Sequence, residues 1–334
     1  MSDSRSIYSN PKDSPTTNEA RQTRRSPWGD RLIVIRESVL DYVTRTNPDE
    51  VLNRADNVPH IPGEADKELP AQLKRFIDIV KIDAMDEYGL NLDYETLRGS
   101  SAYAAYQKSC SPRLKHFDPQ ILTSKQEKLA FWINLYNALV IDGVISKHVE
   151  KSVGSNSLEL LTFFRQTSYN VAGYRMSCDD IEHGILRGNR GHPMLPGRQF
   201  PFTDVRNEWV IKPVEVRIHF ALNCAGRSCP PIQVYTAEDI DAQLDLATRN
   251  FVNTDLKIDP ESEKVQLSAI FNWFKEDFGE GEGVIDFLLK YLPDGDRKSW
   301  LLEHRDSVGF EYKEYDWGLN SRDIKAGNNS TLNS

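Results

Sequence analysis

Residues 124–149 read SKQEKLAFWINLYNALVIDGVISKHV. Ser124, followed three residues later by Glu127, predicts a reciprocal helix cap: the hydroxyl accepts an otherwise unpaired N–H and the carboxylate reaches back to the cap amide. The stretch that follows is apolar on nearly every side, as a helix buried in a core is. Two amides interrupt it, Asn134 and Asn137, three apart and therefore on one face. A buried amide without partners costs about 1–3 kcal/mol, so the pair predicts a polar network inside the domain.

Upstream, apolar residues at Leu32, Ile35, Val39, Leu40 and Val43 predict a helix over 31–51. The same spacing recurs over 72–88, and a shorter helix is expected over 94–107. Downstream, a strand-and-loop region is read around 169–175. Ser177-Cys-Asp-Asp180 opens a short helix that places Ile181 and Ile185 on one side and Asp180, His183 and Arg187 on another, with Gly188 as its stop. Residues 216–224, VRIHFALNC, alternate apolar with polar or small, a period of two that predicts a strand. A loop, AGRSCPPI, follows. Then come a helix from Thr236 to about 253, a hairpin at 256–258 and 265–267, helices at 270–278, 284–291 and 300–303, and a terminal strand. GEGEG at 279–283 follows a helix rather than a strand and is read as a connector, not a phosphate loop.

The predicted fold class is α+β: a helix-rich single domain with a small mixed or antiparallel sheet. Residues 1–27 and 321–334 are polar and read as disordered tails. Residues 28–110 form an N-terminal helical layer or accessory region, and 111–320 the main domain. The chain carries 39% apolar and 27% charged residues with a net charge of −9, which argues against nucleic acid as a partner. No apolar leader or run of about 18 apolar residues is read, and four cysteines in 334 residues are too few for a disulfide framework. The expectation is a soluble, cytoplasmic protein in a reducing compartment, without a membrane span.

The chemistry concentrates around 216–230. A strand would hold His219 rigidly beside Arg217 and Asn223, where it suits proton transfer; the plainer reading is a half-exposed polar face. Parity sends Cys224 to the apolar side, and leaves Cys229 in the Gly/Ser loop as the candidate nucleophile, with Arg227 or a histidine lowering its pKa. The C-x4-C spacing is poor for zinc and is not the C-x-x-C of a dithiol oxidoreductase, which leaves a redox pair as the weaker alternative; no metal or other cofactor is expected. His183 is read as a partner for His219, with Arg187 beside it, or as a helix-surface residue paired with Asp180.

WINLYNALVIDGVI, IEHGILRG, RIHFALNCAGRSCPPI, IFNWFKEDF and YDWGLN, in this order, resemble the domain-of-unknown-function 547 family (DUF547) over roughly residues 125–320. The resemblance implies signature positions at Asn134, Asn137, His183, Arg187, His219, Cys224, Cys229 and Pro230, and no settled activity. The arrangement is also distantly similar to papain-like and transglutaminase-like thiol enzymes, except that the buried helix carries Trp132, Ile133 and Asn134 where those place the cysteine. Three functions are expected from this. One is a cysteine-dependent hydrolase or transferase with Cys229 as nucleophile, His219 or His183 as base, and Asn134 or Asp180 as orienting group. The second is a non-catalytic module whose Arg187, Arg217, Arg227 and Asn137 hold an anionic small molecule, a peptide or a protein partner. In the third, these residues serve the fold alone.

Overall fold

The computed structural model describes residues 27–54 and 66–322. The expected tails therefore lie outside the described residues except at their inner edges, as does most of the connection before the second helix. Eleven α-helices are described: α1 Pro27–Val43, α2 Leu69–Ala84, α3 Tyr94–Arg98, α4 Ser101–Ala105, α5 Lys125–Ser146, α6 Ser157–Gln166, α7 Ile240–Asp255, α8 Ala269–Trp273, α9 Lys275–Phe278, α10 Glu280–Tyr291 and α11 Asp296–Glu303. Two small sheets accompany them. Strands β1 Ser168–Val171 and β2 Tyr174–Ser177 form an antiparallel hairpin. Strands β3 Lys257–Asp259, β4 Lys264–Leu267 and β5 Gly309–Tyr312 form a mixed sheet, β3 antiparallel and β5 parallel to β4. The architecture is helix-rich α+β, as the residue patterns predict.

Helix α5 is the axis. The Glu127 amide donates to Ser124 Oγ at 3.1 Å and the Ser124 amide to Glu127 at 2.9 Å, closing the predicted cap. Every residue from Leu129 to Ile145 is buried. By length and composition α5 could cross a membrane, but 94% of its apolar window is buried inside the protein. Its one buried acid, Asp142, is met by the hydroxyls of Tyr103 and Tyr169, each at 2.6 Å, and of Ser146 at 2.8 Å. Helices α2, α3 and α4 pack into the same hydrophobic core as α5, so the N-terminal layer is built onto the main body. A second core gathers α7 to α11 and the three-stranded sheet.

Four expectations are corrected. The helix read over 31–51 stops at Val43. The helix read over 94–107 breaks into α3 and α4 and runs into a π-helical turn, Tyr106–Cys110. The last residues of GEGEG are the first turn of α10. Most consequentially, residues 216–224 are not a strand. Val216–Phe220 is a 3₁₀ helix capped by Glu215, and its backbone bonds are local: Ile218 N to Glu215 O at 3.1 Å and Ala221 N to Ile218 O at 2.8 Å. A strand needs a pairing edge. Here the side chain of Asn137 takes that place, donating to Ala221 O at 3.1 Å and accepting from Asn223 N at 2.9 Å.

Candidate functional site

The second expected helix is wider than the pattern implies. Asp180–Leu186 is π-helical, a form that recurs at functional sites. Asp180 turns away to close a cap with Ser177 and to meet Gln199 at 3.0 Å and Arg206 at 3.6 Å. It is Asp179, not Asp180, that faces His183, 3.9 Å from Nε2. Asp179, Glu182 and His183 form one wall of a cavity of about 250 Å³. Tyr136 of α5 and Leu160 and Phe164 of α6 form a second wall, and Trp273, Phe274, Tyr315 and Trp317 a third. His192, His219, Cys224 and Pro230 also contribute to the lining.

His219 is reached from below. Its Nε2 lies 2.9 Å from Asp277, a carboxylate that Arg187 also clasps at 2.6 and 3.2 Å and that Arg190 meets from outside. Burial opposes ionisation of Asp277, but the hydrogen bonds from His219 and Arg187 outweigh it and hold the carboxyl well below the usual range. Asp277 therefore accepts a hydrogen bond from His219 Nε2–H, which leaves Nδ1 with the lone pair of a base. The ring stacks on Phe274, centroids 4.0 Å apart. Burial lowers the pKa of His219 despite Asp277, which keeps the ring neutral.

His183 is the complementary case. Its Nδ1 lies 3.0 Å from Arg187 Nη1. Arginine only donates, so Nδ1 accepts and the ring proton sits on Nε2. Burial, with His192 and Arg187 nearby, drives its pKa well below the ordinary value. His183 is thus a neutral N–H donor at the cavity wall. Asp179, His183 and His192 offer ligand-type atoms within 4.8 Å of one another, the spacing of a metal triad. The proton positions oppose that use. The Met194 amide donates to His192 Nδ1 at 3.1 Å, so both rings carry N–H on Nε2, and a metal needs a bare lone pair there. The residues do not fit a resident metal in this arrangement.

The burial expected of the two cysteines reverses. Cys224 and Cys229 form a disulfide with Cα atoms 6.3 Å apart. Cys224 lies on the cavity wall, whereas Cys229 is 5% exposed and behind it. The parity reading sent Cys224 inward because it assumed a strand; with the chain turned at Ala221 the parity has no meaning. Three donors converge on Cys229 Sγ: the amides of Cys224 at 3.2 Å and Gly226 at 3.3 Å, and the Tyr315 hydroxyl at 3.1 Å. Asn223 pins this loop by donating to Pro230 O at 2.7 Å and accepting from Ala225 N at 2.9 Å. Gly226 lets the closing segment approach: a Cβ there would lie 3.1 Å from Asp316 O.

The remaining predicted residues sit elsewhere. Asn134 exchanges two hydrogen bonds with the Tyr235 peptide, at 2.8 and 3.1 Å. Like Asn137, it clamps backbone in the core and orients no histidine. Arg217 is taken up by Glu215, Asp241 and Asp245. Arg227 is more than half exposed beside Asp316. Neither lines the cavity, and Arg187 reaches its lining through His183, through Asp277 to His219, and over the Phe274 ring. Residue patterns missed Asp277, Asp179, Glu182, His192 and Tyr315, although IFNWFKEDF and the closing segment contain two of them.

Residues 119–252 match the family model described as Protein of unknown function, DUF547. The match covers α5, the π-helical turn and the cysteine loop, and ends before Asp277 and Tyr315, short of the span to 320 that the five blocks suggest. No curated protein and no solved structure matches the chain.

Proposed function

The chain carries a DUF547 domain, a description that specifies no reaction, and on that premise we propose that its cavity performs cysteine-dependent group transfer by thiol–disulfide exchange, with Cys224 rather than Cys229 as the sulfur that substrates meet. One observation carries this reading: Cys224 faces the cavity while three donors converge on the sulfur behind it. In an exchange the attacked sulfur must be reachable and the leaving sulfur must bear charge, and hydrogen bonds to a leaving thiolate favour its departure. A substrate thiol entering the cavity gives its proton to His219 Nδ1, with Asp277 steadying the imidazolium that results. The thiolate attacks Cys224 Sγ, the S–S bond breaks, and Cys229 leaves as a thiolate held by the two amides and Tyr315. A second thiol attacks the mixed disulfide, releasing the substrate disulfide and leaving both cysteines reduced. A small disulfide reverses the sequence. In the reducing compartment expected for this chain, a reactive disulfide is more usual than a structural one.

A second reading is favoured by the His219–Asp277 dyad. In the reduced protein, Cys224, His219 and Asp277 supply the nucleophile, base and orienting acid of a thiol hydrolase or transferase. The non-catalytic anion-binding reading has less support, since Arg187 and Arg217 are engaged by carboxylates.

The test is to mix the oxidised chain with 2-mercaptoethanol and follow free cysteine by thiol labelling. The disulfide should open in the folded protein, with His219→Asn slowing the reaction by about 10²-fold. A disulfide that opens only when the chain is unfolded by denaturant would end this reading. Ester or thioester hydrolysis confined to the reduced protein would favour the second.

A further inference from the structure

The cavity has a charge pattern that the exchange chemistry does not use. Asp179 is 6% exposed and, among the described residues, accepts no hydrogen bond; His183 Nε2 lies 3.9 Å from its carboxylate. Glu182 meets the Tyr136 hydroxyl, and the charge of Arg187 also acts on it. Among the described residues, no lysine or arginine lines the cavity. A buried carboxylate without a partner is costly, and burial with Asp180 and Glu182 nearby raises the pKa of Asp179. His183 and His192 are held neutral and bring no positive charge. The same lining carries an aromatic cluster: Trp273 and Trp317 stack with centroids 5.7 Å apart, and Tyr315 and Phe164 pack on Trp317 at 4.7 and 6.2 Å. Aromatic faces are electron-rich and attract cations. Arg165 and Arg187 act on the two acids from outside the lining, so a cavity this small holds two acids and an aromatic cluster with no cation of its own.

We propose that the cavity binds a small organic cation, an ammonium group on an aromatic or aliphatic body, with the ammonium between Asp179 and Glu182 and the carbon body against Trp273 and Trp317. A metal cation is the poorer occupant because both histidines present N–H rather than a lone pair. Binding of this kind stands without the thiol chemistry; only the corollary, that the exchanging substrate is a thiol or disulfide bearing an amino group, rests on the function proposed above.

Three probes of one shape and different charge test it: 2-phenylethylammonium, 2-phenylethanol and phenylacetate, titrated into the full chain and followed by calorimetry and tryptophan fluorescence. Using Cys224→Ser alongside the native protein separates binding from exchange, so that failure of the chemistry leaves this result intact. The ammonium should bind more than about tenfold tighter than the alcohol, and phenylacetate more weakly than either. Asp179→Asn, or Glu182→Gln should the first not fold, should erase the preference of ammonium over alcohol while alcohol binding persists. Equal or tighter binding of phenylacetate, an ammonium preference untouched by both substitutions, or no binding of any probe would overturn the proposal. So would stoichiometric zinc binding abolished by His183→Ala.

Discussion

Two of the buried aspartates in this protein are treated in opposite ways. Asp142, 1% exposed on the central helix, is met by Tyr103, Tyr169 and Ser146 at 2.6–2.8 Å. Asp179, 6% exposed at the cavity, is met by no donor within hydrogen-bond reach. The first site answers each demand of a buried charge and holds helices and hairpin together. The second leaves the demand open, which is unfavourable for the empty protein and useful only when something else arrives. The same contrast separates Asn134 and Asn137, spent on backbone, from His183 and His219, each with one ring nitrogen committed and the ring on the cavity lining.

The largest effect expected from breaking this contrast is at Asp142. Asp142→Ala removes the acceptor that two buried tyrosine hydroxyls share and should cost about 3–5 kcal/mol in denaturant unfolding. Asp179→Asn should leave stability within about 1 kcal/mol of the parent or raise it. Similar losses at both positions would mean that the two acids do the same job. Next, His219→Asn should cost about 10²-fold in disulfide opening by a thiol while the folded protein remains. Tyr315→Phe removes one of three donors to Cys229 and should slow opening by about tenfold, as loss of a hydrogen bond to a charged group does; an unchanged rate would remove Tyr315 from the account.

A further effect is in the pH dependence. His192 is lowered to about 4 by burial, aided by Arg187 and Arg36. Its folded value lies below its unfolded one, so the unfolded chain takes up the proton first as pH falls. Stability from this group is therefore intact above pH about 6.5 and is lost toward pH about 4, with a slope of about 1.4 kcal/mol per unit. His192→Gln should flatten the stability profile by that slope in that window and change nothing above it.

What could be read from the residues was local. The cap at Ser124 and Glu127 and the all-round apolar run specify α5 within one stretch, and the β1–β2 hairpin sits in the region read as strand and loop. What could not be read depends on distant partners. Alternation over 216–224 imitates a strand, but the segment meets a helix carrying Asn137 instead of a sheet edge, and the misread parity carried the roles of Cys224 and Cys229 with it. Asp277 stands in a quoted block, yet its importance comes from Arg187 and His219, 90 and 58 residues earlier. The wide π-helical turn put Asp179 where ordinary helical spacing would have placed Asp180.

The central claim is that Cys224 is the sulfur offered to the cavity and Cys229 the one held behind it. The direct measurement is trapping by intact mass, with each single-serine variant exposed to 2-hydroxyethyl disulfide. Cys229→Ser should capture the mixed disulfide on Cys224, and Cys224→Ser should capture it on Cys229 more than about tenfold more slowly. Equal capture, or faster capture at Cys229, would contradict the account.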